Sequence, residues 1–183
     1  PSEAVQAGYS ELVAVRRPSG DFDPNPRDSC PHLQAGLLLW HKPETWGGAV
    51  PSPSATITLP ANTKVLITSC SLEDTIYEKI VVPSTSELIF SDAPITLNVK
   101  AIKVDGHLRI GSPTCRLFSD ITITLHGQKT TADTIDTMMG SKGIGVDGQI
   151  DVHGKQYHQT WTRLATSAFP GDNHIWVQED TNW

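Results

Sequence analysis

Ile102–Gly111 reads IKVDGHLRIG, two short alternating runs joined at one glycine. Ile102, Val104, Leu108 and Ile110 alternate with polar residues, the period of a strand with one face buried. Asp105-Gly106 supplies the corner between the runs, where the freedom of glycine to take a positive φ suits a tight turn. Ile144–Gly154, IGVDGQIDVHG, repeats the Val-Asp-Gly corner with the same spacing on either side. Run, corner and second run therefore form a repeating unit.

Outward from this unit, first-run positions fall at Leu59, Ile80, Ile102, Ile123 and Ile144, at intervals of 21, 22, 21 and 21 residues. Second-run positions Ile67, Leu88, Leu108 and Ile150 keep nearly the same step, with one rung's member missing between the last two. A fixed period of this length marks a solenoid, in which each repeat buries its apolar face only by stacking on its neighbours. With strands as the repeated element, the expectation is an all-β fold, a parallel right-handed β-helix with rungs of about 21 residues. An antiparallel β-sandwich is the competing fold. The shared turn chemistry of the repeats favours the solenoid, because hairpins need not share it.

The chain has 183 residues, enough for one domain with a real core. Charged residues are only 19%, and 14 glycines with 13 prolines favour many short strands over long helices. A net charge of −6 and the lack of any basic run argue against a nucleic-acid partner or an anionic membrane surface. No segment approaches the length of a membrane span, and there is neither an initiator Met nor a signal peptide. Beginning at Pro1 and stopping at Trp183, the chain reads as part of a longer protein.

Residues 1–36 hold one apolar run, Leu12–Val15, then a Pro/Asp/Gly cluster, and read as a linker or the end of a preceding domain. The solenoid domain is expected over 37–183, truncated at its C-terminal end. Leu37–Trp40 is apolar without alternation, and Trp46-Gly47-Gly48 follows. A solenoid needs its first end covered, so Trp40 and Trp46 are expected as an N-terminal cap. Gln128–Ser141, QKTTADTIDTMMGS, fits neither period and reads as a polar insertion, either solvated filler or a contact surface. Thr160–Leu164 and Ile175–Val177 are expected to add one further turn of the coil, with Phe169-Pro170-Gly171-Asp172 as its corner.

These residues resemble the eight-glycine (G-eight) domain of large cell-surface proteins, which include fibrocystin-like and hyaluronan-degrading members. The likeness rests on Trp46-Gly47-Gly48 with Val50-Pro51, Ile57–Pro60, Leu108–Ser112, Ile121–Gly127, Ile150–Gly154 and Thr160–Leu164, six motifs in order. It is nearest to the fibrocystin branch, where Trp-(Thr/Ser)-Arg-Leu follows the His-Gly strand. Pro83–Glu87 departs from the glycine pair that the family places at a rung corner, so that corner must be built differently. The resemblance implies an extracellular, β-rich module at the start of a longer β-helix. Its partners would be other domains of the same chain, and extracellular proteins or glycans. Structural roles at turns follow for Gly47, Gly48, Gly106, Gly111, Gly127, Gly148, Gly154 and Gly171, with Trp161 as a further core aromatic. Cysteines stand at what look like the positions of Cys30 and Cys115 in the hyaluronan-degrading relatives, which implies a Cys30–Cys115 disulfide. Cys70 is then free, a buried small hydrophobe.

The residues give little support for catalysis or for a cofactor. His107, His126, His153 and His158 could stack into a metal ladder, but structural histidines bonding the backbone of the next turn are the plainer reading. No zinc or calcium spacing occurs. Asp105 and Asp147 sit at equivalent corners, yet rungs that are not adjacent would hold them too far apart for glycoside hydrolysis. No Gly-x-Ser-x-Gly elbow is present. The expected role is a non-catalytic extracellular scaffold, adhesion or assembly surface. A carbohydrate-binding or polysaccharide-degrading domain is the alternative.

Overall fold

The computed structural model of the protein describes residues 30–129, 134–136, 138–154 and 161–179, in two compact units. One lies within Pro24–Lys155 and a smaller one includes Gln156–Trp183. The expected linker as far as residue 29, with Leu12–Val15, as well as His158, Thr160 and Trp183, lies outside the described residues.

The larger unit is a parallel β-solenoid built on two sheets. One sheet is ordered β1 (Leu37–Leu39), β3 (Lys64–Ile67), β5 (Glu87–Phe90), β7 (His107–Ile110), β10 (Gln149–Val152). The other is ordered β2 (Thr56–Thr58), β4 (Ile76–Val82), β6 (Ile95–Val104), β8 (Ile121–Leu125), with β9 (Ile144–Val146) also paired to β6. Every pairing between these strands is parallel, so the sandwich alternative falls.

Ladders of apolar side chains fill the coil. Ile57, Ile80, Ile102 and Ile144 stand in register in one sheet. Val65, Leu88, Leu108 and Ile150 do so in the other. Ile80, Ile102, Val65, Leu88 and Leu108 are fully buried, and each contributes about 1.5–3 kcal/mol of transfer free energy. The ladders expected from spacing put Leu59 and Ile67 where Ile57 and Val65 stand. A two-residue slip keeps every side chain on its own face, so alternation alone cannot distinguish these registers.

The period also needs correction. Ile144 pairs directly with Ile102, and Ile150 with Leu108, so no rung is missing between them. Ile123 pairs with Leu97 instead. Strand β6 carries two neighbours end to end, β8 along Ile95–Val99 and β9 along Ile102–Val104. β8 and β9 are therefore one rung, interrupted by residues 126–143. The core alternation changes phase where the two meet, since Leu97, Val99, Ile102 and Val104 all face the core. Strand β4 changes phase at the same level, with Tyr77, Ile80 and Val82 in the core, and its register with β6 is kept, so the change is a bend shared by stacked strands that turns Ala101 and Lys103 off the core.

The insertion is more than solvated filler. Thr134 and Ser141 form an antiparallel bridge, and the Ile135 N–H donates to the Gly140 carbonyl. Ile135 is 7% exposed. The base closes tightly, because a Cβ at Gly127 would lie 2.8 Å from both the Lys100 carbonyl oxygen and the Lys142 nitrogen.

Corners stack as closely as strands do. The amides of Asp105 and Gly106 both donate to the Val82 carbonyl, and those of Asp147 and Gly148 to that of Val104. Neither Gly106 nor Gly148 has a positive φ, contrary to the expectation for the Asp-Gly corner. Glycine is required by proximity. A Cβ on Gly106 would lie 2.1 Å from the Pro83 carbonyl oxygen, and one on Gly148 2.1 Å from that of Gly106. At the Pro83–Glu87 corner, the buried Ser86 hydroxyl donates to the Pro60 carbonyl at 2.7 Å. That serine binds the corner before it, where the family places glycines.

At the first end, Leu37–Leu39 is a strand of the coil rather than part of the cap. Trp40 follows it, 1% exposed, edge-on to Trp46 at 5.0 Å and to Tyr77 at 6.1 Å. The Trp46 indole N–H donates to the Trp40 carbonyl at 2.6 Å, fixing the pair. Gly47, at φ +76, ends the short Pro43–Trp46 helix in the left-handed conformation that favours glycine.

In the smaller unit the segments around Leu164 and Val177 pair antiparallel, with Ala165 donating to Trp176 and Gln178 to Arg163. They form a hairpin across the turn at Phe169–Asp172, not a further turn of the coil. Alternation alone does not distinguish the two. Trp161, expected in the core, is 51% exposed, because so short a hairpin has no interior to receive it.

Candidate functional site

Three polar clusters lie on the larger unit. The first runs across the outer face of the β1–β10 sheet, where parallel register aligns Lys64, Glu87, His107 and Gln149. Arg109 Nη1 meets Glu87 Oε2 at 3.3 Å, and Lys64 Nζ meets Glu87 Oε1 at 3.5 Å. His107 Nε2 lies 2.8 Å from Asp151 Oδ2. Burial opposes ionisation of Asp151, but hydrogen bonds from His107 and Gln149 and the charges of His107 and Arg109 outweigh it and lower its pKa. His126 Nε2 bonds Asn98 Oδ1 at 2.9 Å. These two histidines bond side chains of neighbouring rungs, not the backbone expected for them.

The second cluster sits where the insertion meets the coil. Lys103, only 8% exposed, extends its Nζ to Asp136 Oδ2 at 2.9 Å, Asp105 Oδ1 at 3.3 Å and Asp147 Oδ2. Asp105 and Asp147 are thus on adjacent levels, not on separated rungs as expected, and one ammonium lies between them. Hydrogen bonds to Asp147 and Asp136, opposed by desolvation, raise the Lys103 pKa. The Lys103 bond and the Met138 and Met139 amides hold Asp136 down to about 2. Asp136 therefore pins the insertion onto β6 from both sides.

A depressed pKa stabilises above the ordinary value of 3.8, and that stabilisation is lost as pH falls towards 2. For Lys103 the sign reverses, and the contribution is present below 10.5 and lost as pH rises through the raised value. We expect protection of the Met138 and Met139 amides, corrected for intrinsic exchange, to fall from about pH 4 to about pH 2. In Asp136→Asn it should already be low at neutral pH. Unchanged protection in that variant would show that the ion pair does not hold the insertion.

The third cluster joins Cys30, His32 and Cys115. Cys30 and Cys115 form a disulfide with Cα atoms 5.1 Å apart across 85 residues of sequence. It anchors the segment beginning at Cys30, which continues through the Pro31–Leu33 turn to Gln34, whose Oε1 accepts from Lys64 Nζ at 3.1 Å. The Pro31–Leu33 turn packs against β5, and Leu66 and Ile89 are buried although they lie outside the core cluster. Burial lowers the His32 pKa, partly offset by the charge of Asp92. Cys70 is free but exposed, on the loop after β3 and near the Thr68 hydroxyl, so it packs no core, contrary to the expectation.

Sequence reading found both corner aspartates and missed Lys103, Asp136, Arg109, Asp151 and His32. One signal was available for Lys103. It is the lone cation in an otherwise apolar Ala101–Val104 run, opposite the small Gly145 in register. Among the expected glycines, Gly154 has no positive φ, and a Cβ added to it would meet nothing within 4 Å among the described residues.

Comparison with known proteins gives three kinds of finding. A family profile described as "G8 domain" matches residues 45–165. A G8 domain-containing protein of Dictyostelium discoideum is 51% identical over 95% of this chain and 13% of its own length. Communication mutant protein F of the same organism is 46% identical over 95% of the chain and 16% of its own length. Fibrocystin-L of Mus musculus is 28% identical over 79% of the chain and 3% of its own length. The chain thus spans a small part of the curated relatives it matches. No solved structure matches it.

Proposed function

Because the chain belongs to the G8 domain family, we propose that it is a non-catalytic β-solenoid module, a scaffold and assembly surface within a longer cell-surface or secreted protein. Its working surface in this reading is the rung that carries β10. Ile150 and Val152 continue the ladders of Leu108 and Ile110, yet they are 40% and 60% exposed. Among the described strands β10 has one neighbour, β7, so its other edge offers unpaired backbone groups to a following coil. An oxidising compartment fits the disulfide, and no helix among the described residues is long and apolar enough to cross a membrane.

A passive role is supported by the corner aspartates. Polysaccharide hydrolysis needs an acid and a second carboxylate facing a cleft, whereas Asp105 and Asp147 both face Lys103.

Two measurements test the reading. The chain incubated with high-molecular-mass hyaluronan is expected to leave its size distribution unchanged, and depolymerisation above a heat-treated control would favour the polysaccharide-degrading alternative. Ile150→Asp is expected to cost under about 1 kcal/mol in this chain, where the side chain is partly wet, but more than about 2 kcal/mol in a version extended past residue 183. Equal costs in both would remove the assembly surface.

A further inference from the structure

We propose that the Cys30, His32 and Cys115 cluster is a redox-gated metal site: reduction of its disulfide creates a Cys2His site for a soft, tetrahedral divalent cation of the zinc type. An imidazole nitrogen of His32 and the two sulfurs lie within 4.8 Å of one another. His32 Nδ1 is buried and has no hydrogen-bond partner among the described residues, so this imidazole is held beside the sulfurs with an unused polar atom. Cys30 is 3% exposed, while His32 and Cys115 are half-buried, so a cation can reach the site from solvent.

The redox step balances as a thiol–disulfide exchange. A dithiol reductant gives two electrons, the Cys30–Cys115 bond breaks, and the reductant closes its own disulfide. Two thiols result, which release their protons when the cation binds as it does to thiolates. In a tetrahedral site with metal–sulfur bonds of about 2.3 Å the sulfurs stand about 3.8 Å apart. Cα atoms at 5.1 Å allow that separation through side-chain rotation. Three protein ligands leave the fourth position to water. The cation then replaces the covalent bond as the link between the N-terminal arm and the 111–120 arc. Sequence spacing conceals the site, because two ligands sit two residues apart and the third lies 85 residues from the first.

The test uses the full chain carrying Cys70→Ser, which removes the exposed competing thiol. The protein is reduced anaerobically and titrated with Co2+. Expected is one Co2+ per chain with thiolate-to-cobalt charge-transfer absorption and tetrahedral d–d bands, displaced by Zn2+ and absent from the oxidised protein. Adding His32→Ala should weaken binding by about tenfold or more, and Cys115→Ser should remove the charge-transfer band. Three results overturn the proposal. They are no thiolate band in the reduced protein, equal affinity in the His32 variant, or a reduced chain that loses its β-sheet circular dichroism and does not regain it with Co2+.

Discussion

Replacing Cys30 and Cys115 together by alanine is expected to lower the unfolding free energy by about 4–5 kcal/mol and the melting temperature by about 10–20 °C. The chain-entropy estimate is large because the bridged residues are 85 positions apart. A second effect adds to it. The Pro31–Leu33 turn that the bridge anchors packs against β5, where Ile89 is buried outside the core cluster, and an untethered arm should open that face to water. Chemical denaturation of the double variant against the parent measures the loss. Hydrogen exchange at β3 and β5 reports whether the arm has lifted. Cys70→Ala, at the exposed free cysteine, should change neither readout. A double variant within about 1 kcal/mol of the parent would mean that the arm holds its place without the bridge.

Gly148→Ala is expected to be nearly as damaging, at about 3–5 kcal/mol, and Gly106→Ala similar. In both, the added methyl meets backbone rather than a side chain that can swing aside. At Gly148 it would sit 2.1 Å from the Gly106 carbonyl oxygen and 2.4 Å from that of Asp105. Relief requires spreading two corners and breaking the paired amide bonds to Val104. Gly154→Ala is the control. With no described residue within 4 Å of an added Cβ, that substitution should stay within about 0.5 kcal/mol. If all three variants unfold alike, close stacking at the corners is not what selects glycine.

The solenoid was legible because its signal is repetition. Alternating runs and Val-Asp-Gly corners recur whatever each copy touches, and the family resemblance rests on the same residues. Register was less legible, since Ile57 and Leu59 share a face and only the pairing Ile57↔Ile80 separates them. The apparent rung at Ile123 arose because a 42-residue step from Ile102 to Ile144 happens to hold an alternating run near its middle. Long-range polar contacts were hidden for a different reason. Lys103 and Asp136, or His107 and Asp151, meet only after the insertion has folded back or the rungs have stacked. No local pattern encodes such a meeting.

The split rung has a consequence for how this module tolerates change in chain length. β8 and β9 are held in place by the same continuous strand, so the distance between their facing ends is set by β6 and not by the residues that join them. Loop closure costs only about 0.6 kcal/mol for each doubling of length. Residues 128–141 are therefore a port, where foreign sequence can be spliced in while the coil on either side keeps its register. The tight base formed by Gly127 and Lys142 marks where such a graft should begin and end.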